Sequence, residues 1–209
     1  MAIYNHADYS ENLSSTQRII FHQEISGKAV DFKAFDLTYS ESITTDWDET
    51  VLPRRTNRSY AWAGTTRSIS LAWSMPAFDI VEAKLNFQKC ALLVQMMYPG
   101  VNKTTGAVEG GTPYWKMGVM NWAHSGGESG AAGTTSDTLL TGFPRDFSFN
   151  IVASDGYLYE DNSTSPYPKH LKASISYTVI LDDSKFFGWN GGEWQGPKHF
   201  PWDESPSDN

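Results

Sequence analysis

Late in the chain, apolar and small polar residues alternate strictly, and this alternation limits the fold more than any other feature. Apolar side chains occupy every second position from residue 171 to residue 181, with Ser174, Ser176 and Thr178 between them. Successive side chains of a β-strand point to opposite faces, so the pattern predicts a strand with one buried and one polar face. Such a half-buried strand is typical of antiparallel sheets, because parallel sheets are usually buried on both faces.

Shorter alternations predict further strands. We expect them at residues 18–25, 30–39, 68–73 and 113–122, and around Phe147, Phe149 and Ile151. Ser26 and Gly27 predict a turn that joins the first two strands as a hairpin. The change of phase near Ala34 and Phe35 predicts a β-bulge.

One segment changes period and predicts a helix over about 79–98. Apolar residues recur there at helical spacing, without an internal Gly or Pro. They are Val81, Leu85, Leu92 and Met96. Asp79 and Glu82 have the spacing of a capping box, and Pro99 follows the far end. Many strands and one helix predict a mainly β fold, an antiparallel barrel or sandwich with a flanking α-helix.

Between about 40 and 66 the pattern is polar and irregular, which predicts a long arm loop. Acidic residues surround an aromatic one at its centre, and arginines follow. The charged and aromatic candidates are Asp46, Trp47, Asp48, Glu49, Arg54, Arg55, Arg58 and Arg67. Acid and base on one arm would let identical copies pair around a closed ring, although ordinary surface ion pairs explain the charges equally well.

Composition excludes several classes of function. The chain has 24 acidic and 16 basic residues and a net charge of −8, which argues against a nucleic-acid-binding surface. Cys90 is the only cysteine, and no metal-ligand or phosphate-binding motif occurs, so no cofactor or metal is expected. The N-terminus has no basic start and apolar run, and no apolar stretch reaches membrane-spanning length, so we expect synthesis in the cytoplasm and no membrane contact.

Two alternatives remain open at this point. Asp46 and Asp48 could serve a glycan-degrading enzyme as paired carboxylates, although acidic loops are more often simply solvated. Eight Trp residues could also provide stacking platforms in a carbohydrate-binding β-sandwich. More commonly such residues fill a core or a subunit contact.

Several longer strings resemble the tail tube initiator proteins of contractile-tailed bacteriophages. They occur in the same order over residues 28–189. They are VDFKAF at 30–35, TTDWDE at 44–49, TRSISLAW at 66–73, EAKLNFQKCALLVQMMYP at 82–99, DFSFN at 146–150 and YPKHLKASISYTV at 167–179, followed by Gly188 and Trp189.

The resemblance implies a tail tube β-barrel domain at 28–189, an N-terminal extension at 1–27 and a Gly/Trp/Pro-rich tail at 190–209. It implies a structural virion protein without catalytic activity, a homohexameric ring at the junction of baseplate and tail tube. The ring would start tube polymerisation, contact hub proteins and either tube subunits or a second initiator ring, and pass phage DNA without specific binding. The arm at 40–66 would be the inter-subunit or inter-ring element, and acidic residues lining the lumen would repel the DNA.

Overall fold

The computed structural model of the chain describes most of the predicted strands and the helix. The described residues are 18–33, 35–51, 58–108, 113–120, 122–123, 139–159, 165–180 and 188–196. The elements in chain order are β1 (Arg18–Gln23), β2 (Ala29–Lys33), β3 (Phe35–Thr50), β4 (Ser59–Pro76), α1 (Ile80–Met96), β5 (Trp115–Val119), β6 (Leu140–Ile151), β7 (Tyr157–Tyr159), β8 (Pro166–Pro168), β9 (His170–Val179), β10 (Trp189–Asn190) and β11 (Glu193–Trp194).

Seven strands form one antiparallel sheet in the order β2-β1-β5-β6-β9-β4-β3. The prediction of a mainly β, antiparallel fold with one helix is therefore confirmed. The described strands do not close into a barrel, because β2 and β3 are the two edges of the sheet. β1 lies within residues 1–27 and pairs with both β2 and β5, so the sheet begins before residue 28.

The sheet curls so that its two halves face each other across the core. Rings on β1 and β2 contact Trp73 of β4, with centroids 6.0 Å away for Phe21 and 5.2 Å for Phe32. The predicted single strand at 30–39 is broken at its bulge. Asp36 has a φ of 49°, and the pairing register shifts between Phe35 and Thr38, so the chain turns from one edge strand into the other.

The helix begins at its predicted cap. The Asp79 carboxylate accepts a hydrogen bond from the Glu82 amide at 2.7 Å, and the Glu82 carboxylate accepts one from the Phe78 amide at 2.8 Å. The buried face differs from the predicted stripe, since Val81 is 63% exposed. Helix α1 is also held by charge: Asp31 of β2 lies 3.7 Å from the Lys89 ammonium, and both groups are buried.

Gly142 of β6 pairs with β5 on one side and with β9 on the other, and a side chain there would collide with the core. A Cβ would overlap the carbonyl oxygen of Thr178 and the ring of Tyr177. The Tyr177 hydroxyl lies 2.8 Å from the Trp115 carbonyl oxygen and 2.9 Å from that of Leu140, so the ring cannot move aside without losing these contacts.

We therefore expect Gly142→Ala to lower the free energy of unfolding by about 3 kcal/mol, as overpacking of a closed site does. The matched control is Gly64→Ala in β4, where an added Cβ meets nothing within 4 Å. Urea denaturation of both variants measures the difference. Equal midpoints for the two variants would contradict the close packing at Gly142.

His22 of β1 is 8% exposed, and neither ring nitrogen forms a hydrogen bond to a described residue. Burial, and then the Lys116 charge, lowers the pKa of His22, while Glu24 partly offsets this. The unfolded chain therefore binds this proton at a higher pH than the folded one, near the usual pKa of about 6.5.

The stability that His22 contributes as a neutral group should be complete above about pH 7 and decline as the pH falls below about 6.5. We expect the wild type to lose more stability than His22→Gln between about pH 7.5 and pH 5.5. Urea midpoints at the two pH values test this. Parallel losses would show that another group carries the acid sensitivity.

Candidate assembly surface

The predicted arm loop is wrong in its secondary structure: residues 40–50 and 59–66 belong to a long β-hairpin. β3 and β4 pair from Phe35 opposite Ser74 to Thr50 opposite Ser59. The residues are rich in Thr, Ile, Tyr and Trp, which favour strands. The alternation is weak because both faces of this hairpin are exposed, so period alone does not separate it from a loop.

The hairpin extends beyond the rest of the sheet. β9 pairs with β4 only as far as Val179 opposite Arg67. Of the eight residues Ser59–Thr66, all but Ala63 pair with β3, and none of the eight pairs with another described strand. Residues 59–66 and their partners 44–50 form an overhang beyond the rest of the sheet. At about 3.3 Å per residue, this overhang is about 25 Å long. A two-stranded ribbon of that length is not stabilised by its own pairing, so the overhang needs a further surface to pack against.

The two faces of the overhang differ in chemistry. Trp47 and Trp62 are direct cross-strand partners, and Tyr60 lies beside them on the same face. All three side chains are more than half exposed, at 58%, 60% and 59%. Asp46 and Asp48 alternate with Trp47 along β3 and lie on the opposite face. A register shift between Asp46 and Trp47 leaves Ala63 unpaired and brings the two indoles opposite each other.

At the base of the overhang, a buried ion pair joins the two strands. The Arg67 guanidinium contacts the Glu41 carboxylate, and these side chains are only 2% and 8% exposed. The Tyr39 hydroxyl donates a hydrogen bond to the same carboxylate at 2.7 Å. Burial, reinforced by Glu41, raises the pKa of Tyr39, so this hydroxyl stays protonated and continues to donate.

The structure brings together some of the predicted site residues and separates others. Arg58 pairs with Glu49 across the exposed end of the hairpin, whereas Arg67 pairs with Glu41 inside the protein. Within the described part of the chain, Asp46 and Asp48 contact no cation. Arg54 and Arg55 lie outside the described residues.

Sequence reasoning missed a polar face that spans four strands, β6, β9, β4 and β3. Most residues opposite one another on this face are Ser, Thr, Ala or Gly, and the hydroxyls of Ser148 and Ser174 lie 2.8 Å apart. The larger side chains on it are Asp46, Asp48, Phe143, Asp146, Asn150 and Lys172. The face includes Ser40, Ser42, Ser68, Ser70, Ser148, Ser174 and Ser176. In the sequence, only the serines of β9 indicated a polar face. The strand pairing shows that β6, β4 and β3 extend this face.

Both lateral edges of this four-stranded unit are open among the described residues. β3 pairs with β4 on one side only. β5 covers β6 over three positions, Leu140 to Gly142, and no described strand pairs with the outer side of β6 from Pro144 to Ile151. Open edges of this length invite pairing with another chain.

The described residues form neither a metal site nor a reactive thiol. No group of three or more His, Cys, Asp or Glu residues among them could hold a metal ion. Burial raises the pKa of the Cys90 thiol to about 12, so it is not a nucleophile. Among the described helices none is both long and apolar enough to cross a membrane.

No known protein family and no curated protein matches the sequence. Among solved structures, the chain is similar to one described as the "PVC sheath/tube terminator in extended state" of an extracellular contractile injection system. The two chains share 13% identity at a TM-score of 0.29, over 84% of this chain and 96% of the other. A likeness at that level indicates nothing about function.

Proposed function

We propose that the chain is a structural subunit of a contractile phage tail, and that six copies form a ring at the junction of baseplate and tail tube. The ring would start tube polymerisation and line the DNA channel of the virion, between hub proteins and either tube subunits or a second initiator ring. The observation that carries the proposal is the four-stranded unit of β6, β9, β4 and β3. One of its faces is rich in Ser and Thr, and the described strands leave both of its edges open.

The strand directions suit a closed ring. β6, β9, β4 and β3 alternate in direction, so β3 of one copy and β6 of the next would run antiparallel if their edges met. The same contact repeated around an axis joins the sheets without leaving an edge, as a heterologous interface does when its rotation closes.

The Ser/Thr-rich face fits a channel wall. Small hydroxyl side chains leave the bore smooth, and Asp46 and Asp48 continue the same face onto the overhang. Two cations lie on this face: Lys172 of β9 is opposite Asn150, and the Arg145 guanidinium donates a hydrogen bond to Thr178 at 2.7 Å. Asp146, opposite Ser176, adds a third carboxylate to Asp46 and Asp48. DNA would then pass without being bound, as the net charge of −8 per copy favours.

Negative-stain images of the purified full chain, and of the protein mixed with hub proteins, test this function. The proposal expects hollow particles with six-fold symmetry. A chain that stays monomeric under both conditions, or whose Trp fluorescence shifts on adding sugars, would instead favour the carbohydrate-binding alternative.

A further inference from the structure

The open edges of β3 and β6 are regular enough to indicate how neighbouring copies would pair. No described strand pairs with the outer side of β6 from Pro144 to Ile151, and β6 is regular from Asp146 onward, after its register shift. β3 is regular from Thr38 to Asp46. Two antiparallel edges of this length can meet in only a few registers.

The polar face limits these registers to every second one. Within one copy, a line of opposed residues crosses β3, β4, β9 and β6. It consists of Ser40, Ser70, Ser176 and Asp146. On β3 and on β6 from Asp146 onward, the even-numbered residues therefore share the polar face. A slip by one residue would turn the polar side chains of a strand to the other face, so an even-numbered residue of β3 must lie opposite Asp146 of the next copy.

Charge and strand length exclude several of the remaining registers. Asp46 or Asp48 opposite Asp146 would place two carboxylates directly across from each other, and like charges in that position are destabilising. A slip in the opposite direction runs β6 past Asp36, where a φ of 49° interrupts β3. The residues of β3 that remain for the position opposite Asp146 are Ser40, Ser42 and Thr44.

Closure of the sheet into a ring decides among these three residues. The strands of a closed barrel tilt by about 35–45° from its axis. The tilt follows from the stagger between copies, with a rise of about 3.3 Å per residue and a spacing of about 4.8 Å per strand. Ser40 gives no stagger and no tilt, and Ser42 gives two residues over four strands and a tilt of about 20°. Thr44 gives four residues over four strands and a tilt of about 35°.

We propose that neighbouring copies join with Thr44 of one copy opposite Asp146 of the next. This inference rests on the proposed ring, and it names the residues that meet at each contact. On the polar face, the facing pairs are Thr44 with Asp146, Ser42 with Ser148 and Ser40 with Asn150. Small polar side chains therefore continue across the contact and around the channel wall.

The other face of the same contact is apolar. Ile43 of β3 and Ile151 of β6 lie on the core side of the sheet, yet both are about half exposed. In the proposed register Ile43 lies opposite Phe147, and Ile151 lies opposite Tyr39. Each isoleucine then gains an aromatic partner from the next copy, as favourable cross-strand pairs do.

The pairing stops where the overhang starts. Beyond Asp146, the edge of β6 reaches Pro144, which has no amide hydrogen to donate, and β5 covers the edge after that. On β3, Thr44 is the first residue of the overhang, and the register shift after Asp46 bends the strand. The contact therefore uses the sheet edges and leaves the aromatic face of the overhang free for a further contact.

Disulfide trapping in the full chain tests the register. The variant carries Ser42→Cys and Ser148→Cys, whose Cα atoms would lie about 4.5–5.5 Å apart between copies, within reach of a disulfide bond. Within one copy, β4 and β9 separate the two strands and keep these residues about 14 Å apart. Cys90 is buried and does not compete. Mild oxidation should therefore join copies to one another.

Two matched controls combine Ser148→Cys with Thr38→Cys or with Asp46→Cys. Each moves the second cysteine four residues along the same face of β3, about 13 Å away, where no disulfide can form in the proposed register. We expect the variant with Ser42→Cys to give about tenfold more cross-linked product than either control. More product from a control, or equal product from all three variants, would overturn the register.

Electrophoresis without reductant and images of the same samples separate this inference from the proposed function. In a closed ring of six, the cross-linked products form a ladder that ends at six chains. A ladder from the Ser42→Cys variant that ends at another number refutes only the hexamer. Six-fold rings without the expected product refute only the register. Neither rings nor cross-links, with or without hub proteins, would refute both.

Discussion

Replacing residues 45–65 with Asn-Gly will leave a folded protein that does not assemble into the proposed ring. Thr44 and Thr66 are cross-strand partners, so an Asn-Gly turn closes the shortened hairpin without changing its register. The buried core includes no residue of the removed segment. We therefore expect a change in melting temperature of less than about 4 °C, measured by circular dichroism, because a loss below about 1 kcal/mol shifts a chain of this size by that much.

Assembly is the property that should change. Sizing and negative-stain images should show the shortened chain as a monomer under conditions in which the wild type forms rings. Two double variants test separately whether the aromatic face or the acidic face of the hairpin is needed for assembly. Trp47→Ser with Trp62→Ser should reproduce the loss, whereas Asp46→Asn with Asp48→Asn should leave assembly intact. Rings from the shortened chain would rule out the hairpin as an assembly element.

Glu41→Leu will destabilise the protein far more than the same substitution at Glu49. Both glutamates lie on β3. Glu41 pairs with Arg67 of β4, and Glu49 pairs with Arg58, the residue before β4. The side chains of Glu41 and Arg67 are 8% and 2% exposed, against 36% and 59% for Glu49 and Arg58. Removing one partner of a buried pair costs about 3–5 kcal/mol, because it leaves a desolvated charge. An exposed pair contributes less than about 1 kcal/mol.

Urea denaturation of the two variants measures this difference directly. A double variant adds a further test: Glu41→Leu with Arg67→Met should recover most of the lost stability, because apolar residues of similar size can replace a buried pair. If Glu41→Leu and Glu49→Leu unfold at the same urea concentration, the Arg67–Glu41 pair does not hold the base of the hairpin.

Elements with one buried face could be predicted because burial leaves a period in the sequence. β9 alternates over its whole length, and the cap and end of α1 follow from Asp79, Glu82 and Pro99. The hairpin at 35–76 could not be predicted in full, since a ribbon exposed on both faces has no apolar period. For the same reason its acidic and aromatic residues indicated an assembly surface but not which residues share a face.

Arg67 shows how far the candidate site could be predicted from the sequence. In the sequence it belongs with Arg54, Arg55 and Arg58 as one basic cluster, but its strand position places it inside the protein, opposite Glu41's carboxylate. Arg58 instead pairs with Glu49 at the surface. Charge can be counted from sequence, but burial depends on which strand lies alongside, and that strand is distant in the chain.

The sequence by itself determined the class of fold, the helix and the absence of a disulfide bond within the chain, because these depend on local periodicity and on residue types. Only the tertiary structure decided the strand order, the open edges of β3 and β6, and the overhang that carries Trp47 and Trp62. The physical reason is that a strand's own residues specify its two faces, whereas its edge partners are specified by contacts between distant segments.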